Sequence, residues 1–219
     1  MTNIGILGAT GLVGSLFLDN ILQDSRIDRV YTFGRRKTGV VHSKLVEIES
    51  DLFQLNDLAI SQYQLSSLCC CIGTTAKKTP DKSQYRKIDL GIPMNAAKLC
   101  EANNIPNFQV ISAMGANANS KIFYNRIKGE MENAVLSTKI MKTYILQPSL
   151  IVGPRKERRL GERLAGSFMK YFSFLFAGPL KNYSPIKASE IAQAMQNLLF
   201  VEHPSGRINS TEIKKVASL

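Results

Sequence analysis

Gly8-Ala9-Thr10-Gly11-Leu12-Val13-Gly14 stands between two segments of different period. Residues 3–7 (N-I-G-I-L) are short and apolar, as in a buried strand, and residues 12–22 carry apolar side chains at helical spacing. A glycine triplet alone is common. Between a strand and a helix each glycine meets a separate steric demand. The first permits a tight turn, the second lets backbone approach a pyrophosphate, and the third lets the helix pack close on the strand. Phosphates then meet a helix N-terminus, where unpaired N–H groups and the helix dipole favour negative charge. The stretch therefore predicts a dinucleotide site that uses Gly8, Thr10, Gly11, Leu12, Val13 and Gly14.

Outward from this turn, strand and helix patterns alternate. Further strands are predicted over residues 29–33, 44–48, 68–72, 108–112 and 143–146, and helices over 83–103, 120–136 and 188–200. Such alternation predicts an α/β fold, a doubly wound, mainly parallel Rossmann-fold sheet with helices on both faces. Pro93, inside the 83–103 pattern, predicts a kink or break near Gly91-Ile92-Pro93. After Gly153-Pro154 the character changes: 156–164 is basic and helix-prone, and 165–177 is apolar and aromatic. The 219 residues suit one domain, in which 155–219 is expected to form a small C-terminal substrate-side lobe. The aromatic run 168–176 is expected to pack over a substrate pocket, with a dimer surface or a lipid-facing helix as alternatives.

Composition excludes several classes. A hydrophobic share of 44% is too high for a disordered chain. No segment reaches the roughly 18 uncharged apolar residues of a membrane span, so no integral membrane association is expected. Met1-Thr2-Asn3 lacks the basic start of a signal peptide. Cys69, Cys70 and Cys71 are consecutive and Cys100 stands alone, so the spacing fits neither a disulfide framework nor a zinc site. Buried thiols acting as small apolar residues are expected, and the compartment they suggest is the cytoplasm. His42 and His203 are isolated, and no metal site is expected. The net charge of +11 raises the question of nucleic acid. The basic residues lie in small scattered groups, however, without a helix-turn-helix, zinc-finger or RNA-binding signature, so no nucleic acid partner is expected.

The second strand ends in Gly34-Arg35-Arg36, where NAD sites usually carry Asp or Glu for the ribose hydroxyls. An arginine pair suits a 2′-phosphate through charge-assisted contacts, so NADP is expected over NAD. Tyr124 and Lys128 are four positions apart in a predicted helix and share a face. Ser112 ends the fifth predicted strand, at the carboxyl edge where open α/β sheets bind ligands. Together the three suit carbonyl–alcohol redox chemistry. Tyr124 would exchange the proton, Lys128 would lower its pKa and hold the nicotinamide ribose, and Ser112 would hydrogen-bond the substrate oxygen.

With these residues the chain resembles, over nearly its whole length, the short-chain dehydrogenase/reductase superfamily in its atypical NAD(P)-binding branch. Within the branch, Cys71-Ile72-Gly73-Thr74-Thr75, Ser112-Ala113-Met114-Gly115-Ala116 and Tyr124 with Lys128, Gly129 and Glu130 are similar to the Tat-interacting-protein-like group. The resemblance implies that Asp51 and Leu52 meet the adenine, and that Gly73, Thr74 and Thr75 meet the cofactor through backbone. It also implies that Pro148 to Pro154 lie beside the nicotinamide, adding Pro148 and Val152 to the cofactor contacts. Two positions depart from the pattern: Asp89 stands where many relatives have Asn, and Gln147 replaces a common Arg. The second departure and the short C-terminal region argue against a sugar-nucleotide substrate. The implied function is an NADP(H)-dependent oxidoreductase acting on a small carbonyl or alcohol. The alternative is a non-catalytic NADP(H)-binding regulator or assembly protein that works through a protein partner. A monomer and a homodimer are both compatible with the sequence.

Overall fold

The computed structural model describes residues 1–153 and 184–219. Strand β1 (Asn3–Leu7) is buried throughout and runs into the glycine turn, after which α1 (Leu12–Gln23) begins. Next come β2 (Arg29–Gly34), β3 (Leu45–Glu49), two 3-10 helices (Leu52–Asp57 and Ile60–Tyr63) and β4 (Ser67–Cys70). Then α2 (Lys82–Arg86), a π turn (Lys87–Gly91) and α3 (Ile92–Ala102) run on as one helical stretch. They lead to β5 (Asn107–Ile111), α4 (Phe123–Leu136), β6 (Lys142–Gln147) and the short β7 (Ile151–Val152). The last part contains β8 (Ile186–Lys187), α5 (Ala188–Asn197), β9 (Gly206–Asn209) and α6 (Ser210–Ala217).

Seven strands form one parallel sheet in the order β3-β2-β1-β4-β5-β6-β9, and β7 pairs with β8 separately. Side-chain alternation divides the apolar residues between two layers. Ile4, Ile6, Cys69, Tyr144 and Leu146 join Phe17, Leu18, Ile191, Met195 and Ile213 from α1, α5 and α6. Leu7, Leu68, Cys70, Phe108 and Ile145 join Ala96, Cys100, Ile127 and Met131 from α3 and α4. Both faces are thus covered, as a parallel sheet requires. Two polar side chains of the buried strand β5 meet the last turn of α5: Gln109 donates to the Met195 carbonyl at 3.1 Å and Asn107 to that of Leu198 at 3.3 Å. They satisfy carbonyls that a helix end otherwise leaves open.

The Rossmann-fold reading holds. Of residues 155–219, which are expected to contribute a small C-terminal lobe, 184–219 are described. Strand β9 extends the main sheet, α5 packs against α1, and α6 packs against α5 and beside β9, where the apolar faces of both helices find cover. The helix-prone 156–164 and the aromatic run 168–176 lie outside the described residues. Pro93 does not break its helix. It lacks the N–H that would meet the Asp89 carbonyl, and the chain widens into the π turn, where the Ile92 N–H bonds the Lys87 carbonyl. That turn carries Asp89.

Candidate active site

Strand order reverses between β1 and β4, and ligands of open α/β sheets bind outside the carboxyl ends at such a point. Gly8 there adopts φ +85°, and a Cβ on it would press to 3.0 Å from the Cys71 carbonyl. A Cβ on Gly14 would overlap the Gly8 carbonyl oxygen. The N-cap of α1 is Gly11, so no side-chain oxygen occupies the helix N-terminus. Bare backbone facing an uncapped helix end is a cradle that fits a pyrophosphate.

A cleft of about 420 Å³ opens along these carboxyl ends. Of the predicted cofactor residues, Gly8, Thr10, Gly11, Arg35, Arg36, Asp51, Leu52, Gly73 and Thr74 line it. Leu12, Val13 and Gly14 form the first turn of α1 behind it, and Thr75 follows Thr74. The segment after β6 returns to this helix end, for a Cβ on Gly153 would lie 3.4 Å from Leu12 Cδ1. Pro148 leads into that segment, its carbonyl accepting the Met114 N–H at 2.9 Å, and Val152 belongs to β7. Sequence reading missed two carboxylates. Glu47 and Glu49 of β3 also line the cleft, and Glu49 is the register partner of Gly34. Glu47 is held by the Thr38 N–H at 2.6 Å and its hydroxyl at 2.7 Å.

Helix α4 presents Tyr124, Lys128 and Glu132 at intervals of one turn. Lys128 is buried, and its ammonium lies 2.8 Å from Asp89 Oδ1. The other oxygen, Oδ2, accepts the Thr74 N–H at 2.8 Å. A Cβ on Gly73 would sit 3.9 Å from the Lys128 nitrogen, so the pair lies directly beneath one end of the cleft. Burial works against the ammonium, yet the Asp89 carboxylate beside it raises Lys128 above the ordinary lysine value. Tyr124 is partly exposed. Burial of its hydroxyl raises its pKa, Lys128 pulls the other way, and Asp89 adds to the rise. The expected lowering of the tyrosine by Lys128 is therefore outweighed.

The hydroxyl hydrogen of Ser112 is already engaged. The residue is buried and donates that hydrogen to Glu132 Oε1 at 2.5 Å, so it is left able only to accept from a substrate oxygen. Glu132 also accepts from Gln147 at 2.9 Å and from Arg207 Nε of β9 at 2.6 Å. The guanidinium facing Glu132 thus comes from the sheet edge, and Gln147 adds an uncharged donor. Gly129, between Lys128 and Glu132, packs so closely under the preceding loop that a Cβ would overlap Asn117 and Ala118 backbone. Gly129→Ala is expected to cost about 1–3 kcal/mol. Calorimetry should register this as a melting point lower by roughly 2–10 °C.

The cysteines are packing residues. Cys69, Cys70 and Cys100 are buried, Cys71 is half-buried, and burial pushes the Cys70 thiol up to about 11. Among the described residues no group of three or more His, Cys, Asp or Glu could hold a metal ion. No helix among them is long and apolar enough to cross a membrane.

Parallel sheet, glycine cradle and the Tyr124–Lys128 face together define a protein of the short-chain dehydrogenase/reductase type, in the NAD(P)-binding Rossmann-fold superfamily. The chain belongs to the FMP52 family: it is 34% identical over 194 residues to "Protein FMP52, mitochondrial" of Candida albicans, covering 86% of this chain and 83% of that protein. Protein HTATIP2 of Rattus norvegicus is 28% identical over 229 residues, covering 99% and 88%. The solved structure of WbmH from Bordetella bronchiseptica in complex with NAD+ shares the fold, with a TM-score of 0.72 at 16% identity, over 100% of this chain and 80% of that one. No family model matches the chain. The FMP52 relatives are named as mitochondrial proteins, which overturns the cytoplasmic location expected from the sequence. Free thiols report a reducing environment and carry no address, so they do not separate cytosol from mitochondrion.

Proposed function

We propose that the protein is an NADP(H)-dependent oxidoreductase that interconverts a small carbonyl compound and its alcohol. The observation that carries this reading is the buried Lys128 ammonium, held by Asp89 beneath Gly73 and one helical turn from Tyr124. The glycine cradle, Asp51, Leu52, Thr74, Thr75, Pro148 and Val152 would hold the dinucleotide, and Arg35 and Arg36 its 2′-phosphate. When bound, a reduced nicotinamide supplies hydride to the carbonyl carbon. Tyr124 gives its hydroxyl proton to the carbonyl oxygen, and its partial exposure lets solvent restore that proton. Lys128 has three N–H donors, of which Asp89 takes one, so two are free to orient a ribose hydroxyl and the tyrosine. Ser112, fixed by Glu132, would accept from the alcohol hydroxyl.

Cofactor choice is tested by fluorescence titration of nucleotide into the Arg35→Ala/Arg36→Ala variant. Charged hydrogen bonds contribute about 1.5–3 kcal/mol each. Losing both should therefore lower NADPH affinity by roughly 10²- to 10⁴-fold with NADH affinity unchanged. Equal affinities in the unaltered protein would favour NAD, with Glu49 taking the ribose hydroxyls from β3. Activity is tested by following NADPH consumption with a panel of aldehydes and ketones. Absence of turnover across the panel, with NADPH bound, would favour the regulator.

A further inference from the structure

Of the ion pairs among the described residues, Lys128–Asp89 has both side chains buried, 5% and 1% exposed. Both Asp89 oxygens are engaged, one by the ammonium and the other by the Thr74 N–H, so the carboxylate is fixed in place. A lone ammonium one turn from Tyr124 would favour tyrosinate, as an opposite charge does at roughly 4–6 Å. A carboxylate in contact with that ammonium removes most of this effect. Among the described residues, other titratable groups near the pair stand on α2, β4 and α4. Tyr85 of α2 and Cys70 of β4 are neutral, since burial raises both, and Glu130 of α4 is paired with Arg86 at 2.5 Å. Arg126 and Lys82 flank the ring of Phe123.

We propose that Asp89 is a positioning residue that cancels the charge of Lys128, so that Tyr124 holds its proton at neutral pH and the site is set for carbonyl reduction. The role rests on the reading of Tyr124 as the proton donor. Its effect is on the tyrosine, reached through Lys128, and Asp89 itself touches neither substrate nor nicotinamide.

The test is an ultraviolet titration of tyrosinate in the full chain without nucleotide, with the Tyr124→Phe curve subtracted to isolate Tyr124. In the unaltered protein Tyr124 ionises above the ordinary phenol value of about 10. In Asp89→Asn, which removes the carboxylate and keeps a hydrogen-bonding group beside Lys128, its ionisation moves down by about one pH unit or more. An unmoved ionisation in a folded Asp89→Asn protein overturns the proposal. Asp89→Asn/Lys128→Met replaces the ion pair by a neutral pair and serves even if the single variant does not fold. There Tyr124 should ionise as in the unaltered protein. A rise of more than about one unit would mean that Lys128 acts uncancelled, and would equally overturn the proposal. Because no substrate is present, failure to find turnover removes the oxidoreductase reading and leaves this result standing. A failed titration removes the role of Asp89 whatever the turnover.

Discussion

Lys128→Met lowers the stability of the protein by about 3–5 kcal/mol, because it leaves the Asp89 carboxylate buried without its counter-charge. For a chain of this length the melting point should fall by roughly 6–20 °C. The cause is desolvation. Asp89 lies in the π turn under the cleft, and among the described residues its remaining side-chain partner is the Thr74 N–H. Adding Asp89→Asn to the same chain should restore most of the loss, since replacing a buried ion pair by uncharged groups of similar volume is often neutral. A double-mutant cycle by urea unfolding checks this: the two substitutions should couple strongly. Additive effects would mean that water reaches the pair and that the site is more open than the structure indicates.

Tyr124→Phe has the opposite profile. The ring lies partly exposed at the start of α4, so its hydroxyl contributes little to folding, and stability should stay within about 0.5 kcal/mol. Turnover of any carbonyl substrate, in contrast, should fall by about 10²- to 10⁴-fold, the usual contribution of a positioned proton donor. NADPH affinity should be retained, since the cradle at Gly8, Gly11 and Gly14 is distant in sequence and intact. Stopped-flow measurement of NADPH oxidation beside an independent binding titration separates the two effects. Unchanged turnover would move the proton to another donor.

What could be read from the sequence was local. The glycine turn declares itself because strand, turn and helix are contiguous, and Tyr124 with Lys128 because one helix carries both. What could not be read depends on partners remote in the chain. Glu132 receives Arg207 from 75 positions away, and nothing in the four residues of β9 signals that contact. Glu49 reaches the cleft only because β3 lies beside β2 in register. Ser112 was placed correctly at the end of β5, but the direction of its hydrogen is set by Glu132 on another element. Asp89 is read as a departure from a family pattern, and only the packing of its π turn beneath Gly73 and α4 explains its contact with Lys128. Helix α5 is amphipathic in sequence, which identifies an apolar face without saying that α1 covers it.

The most direct test of the central claim is thermal unfolding of the purified protein with NADPH, NADP+, NADH and NAD+, each at matched concentration. A nucleotide at about a hundred times its dissociation constant adds roughly 2.7 kcal/mol to stability. That corresponds to a melting shift of about 5–10 °C. The cradle at Gly8–Gly14 with Arg35 and Arg36 predicts such a shift for the NADP pair and a smaller one for the NAD pair. No shift with any of the four would contradict a dinucleotide site in this cleft, and with it the proposed chemistry.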